Sequence, residues 1–123
     1  MSLVPDGLKY TKDHEWAKFE GAVATIGVTD HAQRELGDIV FVELPKVGAT
    51  VTAGNSFGTI EAVKTVAELY APVSGTVEAV NTALAADAGV INQDPYGKGW
   101  IIKVKASGGQ EGLLDAAGYK ALI

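Results

Sequence analysis

Bulky apolar residues recur at short intervals along this chain, broken by glycine, proline and asparagine, a pattern of short β-strands rather than long helices. Glu15 to Thr29, EWAKFEGAVATIGVT, sets Trp16, Phe19, Val23 and Ile26 around Glu20-Gly21 and predicts a hairpin turning at that pair. TDHAQRELG follows. Thr29 or Asp30 can cap the free N–H groups of a helix start, and Gly37 suits its left-handed end, so one or two helical turns are expected. DIVFVELPKVGATVTAGNSFGTI alternates β-branched and aromatic residues with Pro45, Gly48, Gly54 and Asn55, a meander of short strands. APVSGTVEAVN and GWIIKVKA repeat the pattern across a loop ending in NQDPYGKG. The β-rich stretches beginning at Gly37 and Gly75 are loosely similar, which favours a domain of two related halves. At the end, GQEGLLDAAGYKALI predicts a helix with Leu113, Leu114, Ala117 and Ala121 tending to one side, weakened by Gly112 and Gly118.

Frequent turns and the lack of strand–long helix–strand alternation point to an all-β protein. Two packed antiparallel sheets of short strands are expected, with a few short helices including a C-terminal one. A length of 123 residues fits one domain over 1–123.

Charge narrows the partners. The net charge is −5 and the ten lysines and arginines form no cluster, so nucleic acid and anionic membrane surfaces are set aside as partners. With no cysteine, disulfides, thiolate nucleophiles and zinc–thiolate sites are excluded together. His14 and His31 are in no ligand spacing, and no metal site is expected. No apolar run is long enough to span a bilayer and no signal or transit peptide is recognisable, so a soluble, cytoplasmic bacterial protein is expected rather than a processed mitochondrial one.

One stretch resists a bland reading. In GTIEAVKTVAELYAPVSG, Lys64 stands with Glu61 three residues before it and Glu68 four after. Locally this is a helix, with ion pairs each contributing about 0.2–0.5 kcal/mol. The flanks read differently: Phe57 to Ile60 and Leu69 to Val73 look like strands approaching and leaving, and Pro72 and Gly75 block a helix downstream. On that reading Lys64 sits near a hairpin tip, although no Asn-Gly or Asp-Gly marks the turn. From the residues alone both readings stand.

A lysine on a hairpin between two similar halves, with Gly75 eleven residues on, resembles the lipoyl and biotinyl carrier domains. Val63 and Thr65 replace the methionines that usually flank a biotinyl lysine, and Val63 replaces the aspartate typical of 2-oxoacid dehydrogenase lipoyl domains. GLKYTKDHEWAKFEGAVATIGVTDHAQRELGDIVFVELPKVG and PYGKGWIIKVK closely resemble the H-protein family of the glycine cleavage system, from about Gly7 to the C-terminus. The resemblance implies a barrel-sandwich hybrid with quasi-twofold halves. It also implies a carrier rather than an enzyme, with lipoic acid joined to Lys64 as an amide.

In that family the arm takes an aminomethyl group from the glycine decarboxylase (P protein) to the aminomethyltransferase (T protein). Dihydrolipoyl dehydrogenase (L protein) reoxidises it, and a lipoate ligase or octanoyltransferase installs it. A monomer is expected, since a carrier visiting several enzymes binds each transiently. The loaded arm is expected to fold back onto the surface. An exposed ion pair at roughly 0.2–1 kcal/mol would not hold it, whereas burying four methylenes contributes about 3 kcal/mol. By family position the cleft residues are Glu15 and Glu68, with Asp13 and His31 close by. Glu15 could equally be an exposed strand residue, and His14 and His31 ordinary structural or solvated ones. Ala62, Thr65, Ala67 and Glu68 depart from the usual pattern around the lysine, whereas Glu61, Val63 and Lys64 keep it. Two rivals remain: a related relay handing lipoate to 2-oxoacid dehydrogenase complexes, and a binding module whose Lys64 is never modified.

Overall fold

The computed structural model describes residues 2–123. Two antiparallel sheets hold nine strands: β1 (Lys9–Tyr10), β2 (Glu15–Glu20), β3 (Val23–Val28), β4 (Ile39–Glu43), β5 (Thr50–Val51), β6 (Ser56–Ala62), β7 (Val66–Tyr70), β8 (Ser74–Val80) and β9 (Ile102–Gly108). One sheet runs β1-β2-β3-β9-β8-β5 and the other β4-β6-β7. Three short helices accompany them: α1 (Asp30–Leu36), α2 (Val90–Gln93) and α3 (Ala116–Leu122), with a 3-10 turn at Thr82–Ala85. The all-β expectation with small helices holds.

The first hairpin forms as the pattern predicts, but its turn is one residue later than expected, Glu20 pairing Val23 across Gly21-Ala22. On β3, Ala24, Ile26 and Val28 face the core, and the intervening Gly27 faces the ring of Trp16 on the paired strand. A Cβ on Gly27 would sit 2.7 Å from the indole nitrogen, so no larger residue fits under that ring. Both sheets contribute to one apolar core that includes Ile26, Val77, Ile102 and Val104 from the larger sheet and Val42, Ile60 and Leu69 from the smaller. Behind the larger sheet, Tyr10, Trp16, Ala116 and Tyr119 form a second cluster, with Tyr10 and Tyr119 stacked 4.8 Å apart. The Trp16 indole N–H donates to the Pro95 carbonyl at 3.0 Å, so the buried ring leaves no orphaned donor.

Helix α1 starts as its sequence predicts. The Thr29 hydroxyl accepts from the Ala32 N–H at 3.1 Å, and Gly37 ends the helix at φ 78°. The terminal helix is shorter than expected and shows a different face. Asp115 caps it, accepting from the Gly118 N–H at 2.8 Å, so winding begins only at Ala116. Leu113 and Leu114 precede the helix, and Leu114 bridges to Tyr10. The buried side is Ala116 and Tyr119, while Ala117 and Ala121 are exposed. Two glycines and an internal capping residue outweigh the leucine pair in setting the start.

Candidate functional site

Lys64 lies on a hairpin, so the local helical reading is overturned. Strands β6 and β7 pair through Thr59–Glu68, Ile60–Ala67 and Glu61–Val66, and the Ala62 N–H donates to the Thr65 carbonyl at 2.8 Å. Val63 and Lys64 make the turn. Pairing buries Ile60 and Leu69 in the core, a gain that outweighs the helical preference of glutamate, alanine and lysine. Among the described residues His14 is the one non-glycine residue with positive φ, so this turn does not use the left-handed conformation that Asn-Gly supplies. A tertiary bond holds it instead: the Val63 N–H donates to the Asp38 carbonyl at 2.9 Å, just beyond α1.

Lys64 itself is exposed, and among the described residues no carboxylate lies within ion-pairing distance of its amine. The expected pairs with Glu61 and Glu68 do not form. Its stem crosses Gly37, where a Cβ would sit 3.2 Å from Lys64 Cε. Gly37 therefore both ends α1 and leaves room for the lysine.

Beside β7, between α1 and β2, lies a cleft of about 160 Å³. Val28, Ala32, Leu36, Ile60, Ala67 and Leu69 give it apolar walls, and Asp13, His14, Glu15, Glu35 and Glu68 complete its lining. Glu15 is only 2% exposed, which rules out the open-strand alternative. One carboxylate oxygen accepts from the Thr11 hydroxyl at 2.8 Å and the other from the Tyr70 N–H at 3.3 Å. No cation pairs with it among the described residues. Burial pushes its pKa up to about 8, against the downward pull of the Thr11 and Tyr70 hydrogen bonds. Glu68 is exposed at the rim and accepts from the Ser56 hydroxyl.

A polar clamp supports this wall. His14 adopts φ 70°, its carbonyl accepts from the Thr29 N–H at 3.0 Å, and its Nδ1 is 2.8 Å from the Tyr119 hydroxyl. That hydroxyl is also 2.7 Å from Thr29 Oγ1. The C-terminal helix thereby braces both the residue before Glu15 and the cap of α1. Burial, then the neighbouring His31, lowers the His14 pKa.

A family model described as glycine cleavage H-protein matches residues 8–123. The chain belongs to the glycine cleavage H-protein family. A glycine cleavage system H protein of Rubrobacter xylanophilus is 58% identical over 107 residues, spanning 87% of this chain and 85% of its own. One from Myxococcus xanthus is 52% identical over 98% of this chain and 95% of its own. Among solved structures, the H protein of Mycobacterium marinum superposes with a TM-score of 0.90 at 44% identity, covering 96% of this chain and 97% of that one. The family match spans both the Lys64 hairpin and the cleft of this H protein.

Glu15, Glu68 and Asp13 of this H protein meet at the cleft, but His31 does not line it. Its ring lies 4.8 Å from that of His14 and its Nε2 is 3.5 Å from Glu35, facing a different depression that includes Ser2, Val4 and Lys120. Sequence reasoning missed Thr11, Tyr119 and Asn92. The Asn92 amide donates to Gly37 O (2.8 Å) and Gln33 Oε1 (3.0 Å), and its oxygen accepts from the Ile39 N–H (2.9 Å). These residues come from distant parts of the chain, and no local spacing signals them.

Proposed function

We propose that this chain is the lipoyl-carrying shuttle of the glycine cleavage system, with Lys64 as the attachment residue. The observation that carries the reading is a solvent-exposed, unpaired amine at a hairpin tip that a hydrogen bond holds against the end of α1. An amine needed for acylation must be reachable and free of a carboxylate, and its long stem suits a tether.

The surroundings fit the group. The cleft offers apolar walls for a hydrocarbon arm and, buried in its lining, a carboxyl group without a cation. When bound as an amide, lipoic acid supplies a reversible dithiol–disulfide couple whose sulfur carries an aminomethyl group from P protein to T protein, L protein restoring the disulfide. The protein's own part is to hold, orient and shelter. Val28, Ala32, Leu36 and Leu69 exclude water along the arm, and burying about four methylenes contributes roughly 3 kcal/mol. Glu15, ionising when an ammonium enters, discriminates an amine from an uncharged end. Glu68 marks the rim. The chain contributes no catalytic residue on this reading; it is a monomeric, cytoplasmic carrier visited by the three enzymes and by a lipoate ligase or octanoyltransferase.

Intact mass and a peptide map, after co-expression with lipoate ligase and lipoate, test the reading. One lipoyl adduct confined to Lys64, absent from Lys64→Arg, is expected. An unmodified protein in the presence of an active ligase would leave the reading without support.

A further inference from the structure

The outer face of the three-stranded sheet bears an exposed surface that extends beyond the cleft rim and the turn. Strand β4 is bulged: Ile39 pairs with Ala62 and Phe41 with Glu61, leaving Val40 as the extra residue. Plain alternation would turn Phe41 to the side of buried Ile39. The bulge turns it outward instead, beside Val40, and Phe41 is 51% exposed. Register then aligns Phe41, Glu61 and Val66 in one row across β4, β6 and β7. Val66 is 60% exposed and Val63, at the tip, 76%. The next outward row is Glu43, Thr59 and Glu68, while the row between, Val42, Ile60 and Ala67, turns toward the core.

The face is thus a strip of Val40, Phe41, Val63 and Val66 interrupted by Glu61, with Glu43 and Glu68 in the next outward row. None of Glu43, Glu61 and Glu68 forms an ion pair among the described residues. Lys64 lies at one end of the strip, and acylation would remove its charge.

We propose that this face is the docking surface for the decarboxylase that loads the arm, an enzyme offering an apolar depression bordered by lysines and arginines. The inference rests on the carrier reading above. Two observations favour a basic partner that receives the arm, and the decarboxylase is the first such partner in the carrier reading. The strip is continuous with the tip that holds the tether, so a partner drawing the arm into an enclosed active site must seat against it. The uncompensated acidic rim calls for a basic surface, which steers encounter while leaving the complex short-lived.

The test uses fully lipoylated protein, verified by mass, as the varied substrate in glycine–carbon dioxide exchange with the decarboxylase. Phe41→Ser combined with Val66→Ser raises KM for the carrier about five- to tenfold and leaves kcat unchanged. The milder Val66→Thr gives a smaller rise in the same direction. Glu43→Gln weakens the increase of KM with salt, and Val47→Ser, equally exposed but on the loop after β4, changes nothing. All variants keep the wild-type thermal midpoint, because the altered side chains are exposed. An unchanged KM in the double variant overturns the proposal, as does a fall in kcat alone. Self-association of the wild type that the double variant abolishes also overturns it, assigning the strip to a second copy of the chain. Failure of the carrier reading looks different: lipoylated wild type then supports no exchange at all.

Discussion

Glu15→Gln separates the cost of a buried carboxyl from its use. The folded protein holds this group at a pKa of about 8 against an ordinary value of 4.5, because burial favours the neutral form. The folded state therefore binds the proton more tightly than the unfolded state does. Stability linked to Glu15 is fully present below pH 4.5 and is lost as pH rises toward about 8, with no further change above. At about 1.4 kcal/mol per unit the ceiling is roughly 5 kcal/mol, a large share of the 5–15 kcal/mol typical of a domain. Glutamine keeps one acceptor oxygen for the Tyr70 N–H, its NH2 can donate to the Thr11 hydroxyl oxygen as a protonated carboxyl would, and it cannot ionise. Urea unfolding measured from about pH 5 to pH 9 should show wild-type stability falling by several kcal/mol relative to the variant. The two should nearly coincide at the acid end, leaving the variant more stable above pH 8. Because every other titrating group is common to both proteins, the difference curve isolates Glu15. Parallel curves would refute the assignment of a neutral buried acid. The same variant, loaded with the aminomethyl group, should release it to water faster, since an amide cannot offset an ammonium's charge. Greater stability with poorer retention is the expected signature of a group kept for function.

Two further substitutions probe the supports of the site. Asn92→Ala removes three hydrogen bonds and orphans the Ile39 N–H; a loss of about 2–4 kcal/mol in urea unfolding is expected, with weaker amide-exchange protection at Val63. Tyr119→Phe deletes the hydroxyl between His14 and Thr29 and should cost about 1–2 kcal/mol in urea unfolding.

What the chain discloses locally and what only folding discloses divide along physical lines. The first hairpin, to within one residue at its turn, and the Thr29 cap are legible because the residues that specify them lie within a few positions of one another. The Lys64 turn is not, because its closing bond reaches back to Asp38 and its two residues carry no turn preference. Resemblance favoured the hairpin where propensity favoured a helix. Glu15 reads as a surface strand residue by type, and burial contradicts type because β2 is covered on both faces, Trp16 and Ala17 being buried beside it. His31 sits close to the site in sequence logic but faces His14 rather than the cleft, since a helix of seven residues sends successive side chains to different sides. The Phe41 strip is invisible to alternation because a single bulged residue reverses which side is outward.

The bond from the Val63 N–H to the Asp38 carbonyl joins the turn bearing Lys64 to the end of the helix that walls the cleft. Turn and cleft wall are therefore tied directly to one another. On the carrier reading, the effective concentration of the arm's end at the cleft then follows from the arm's own length and stiffness. Lengthening the turn would dilute the arm at its own cleft without altering a single residue that touches it.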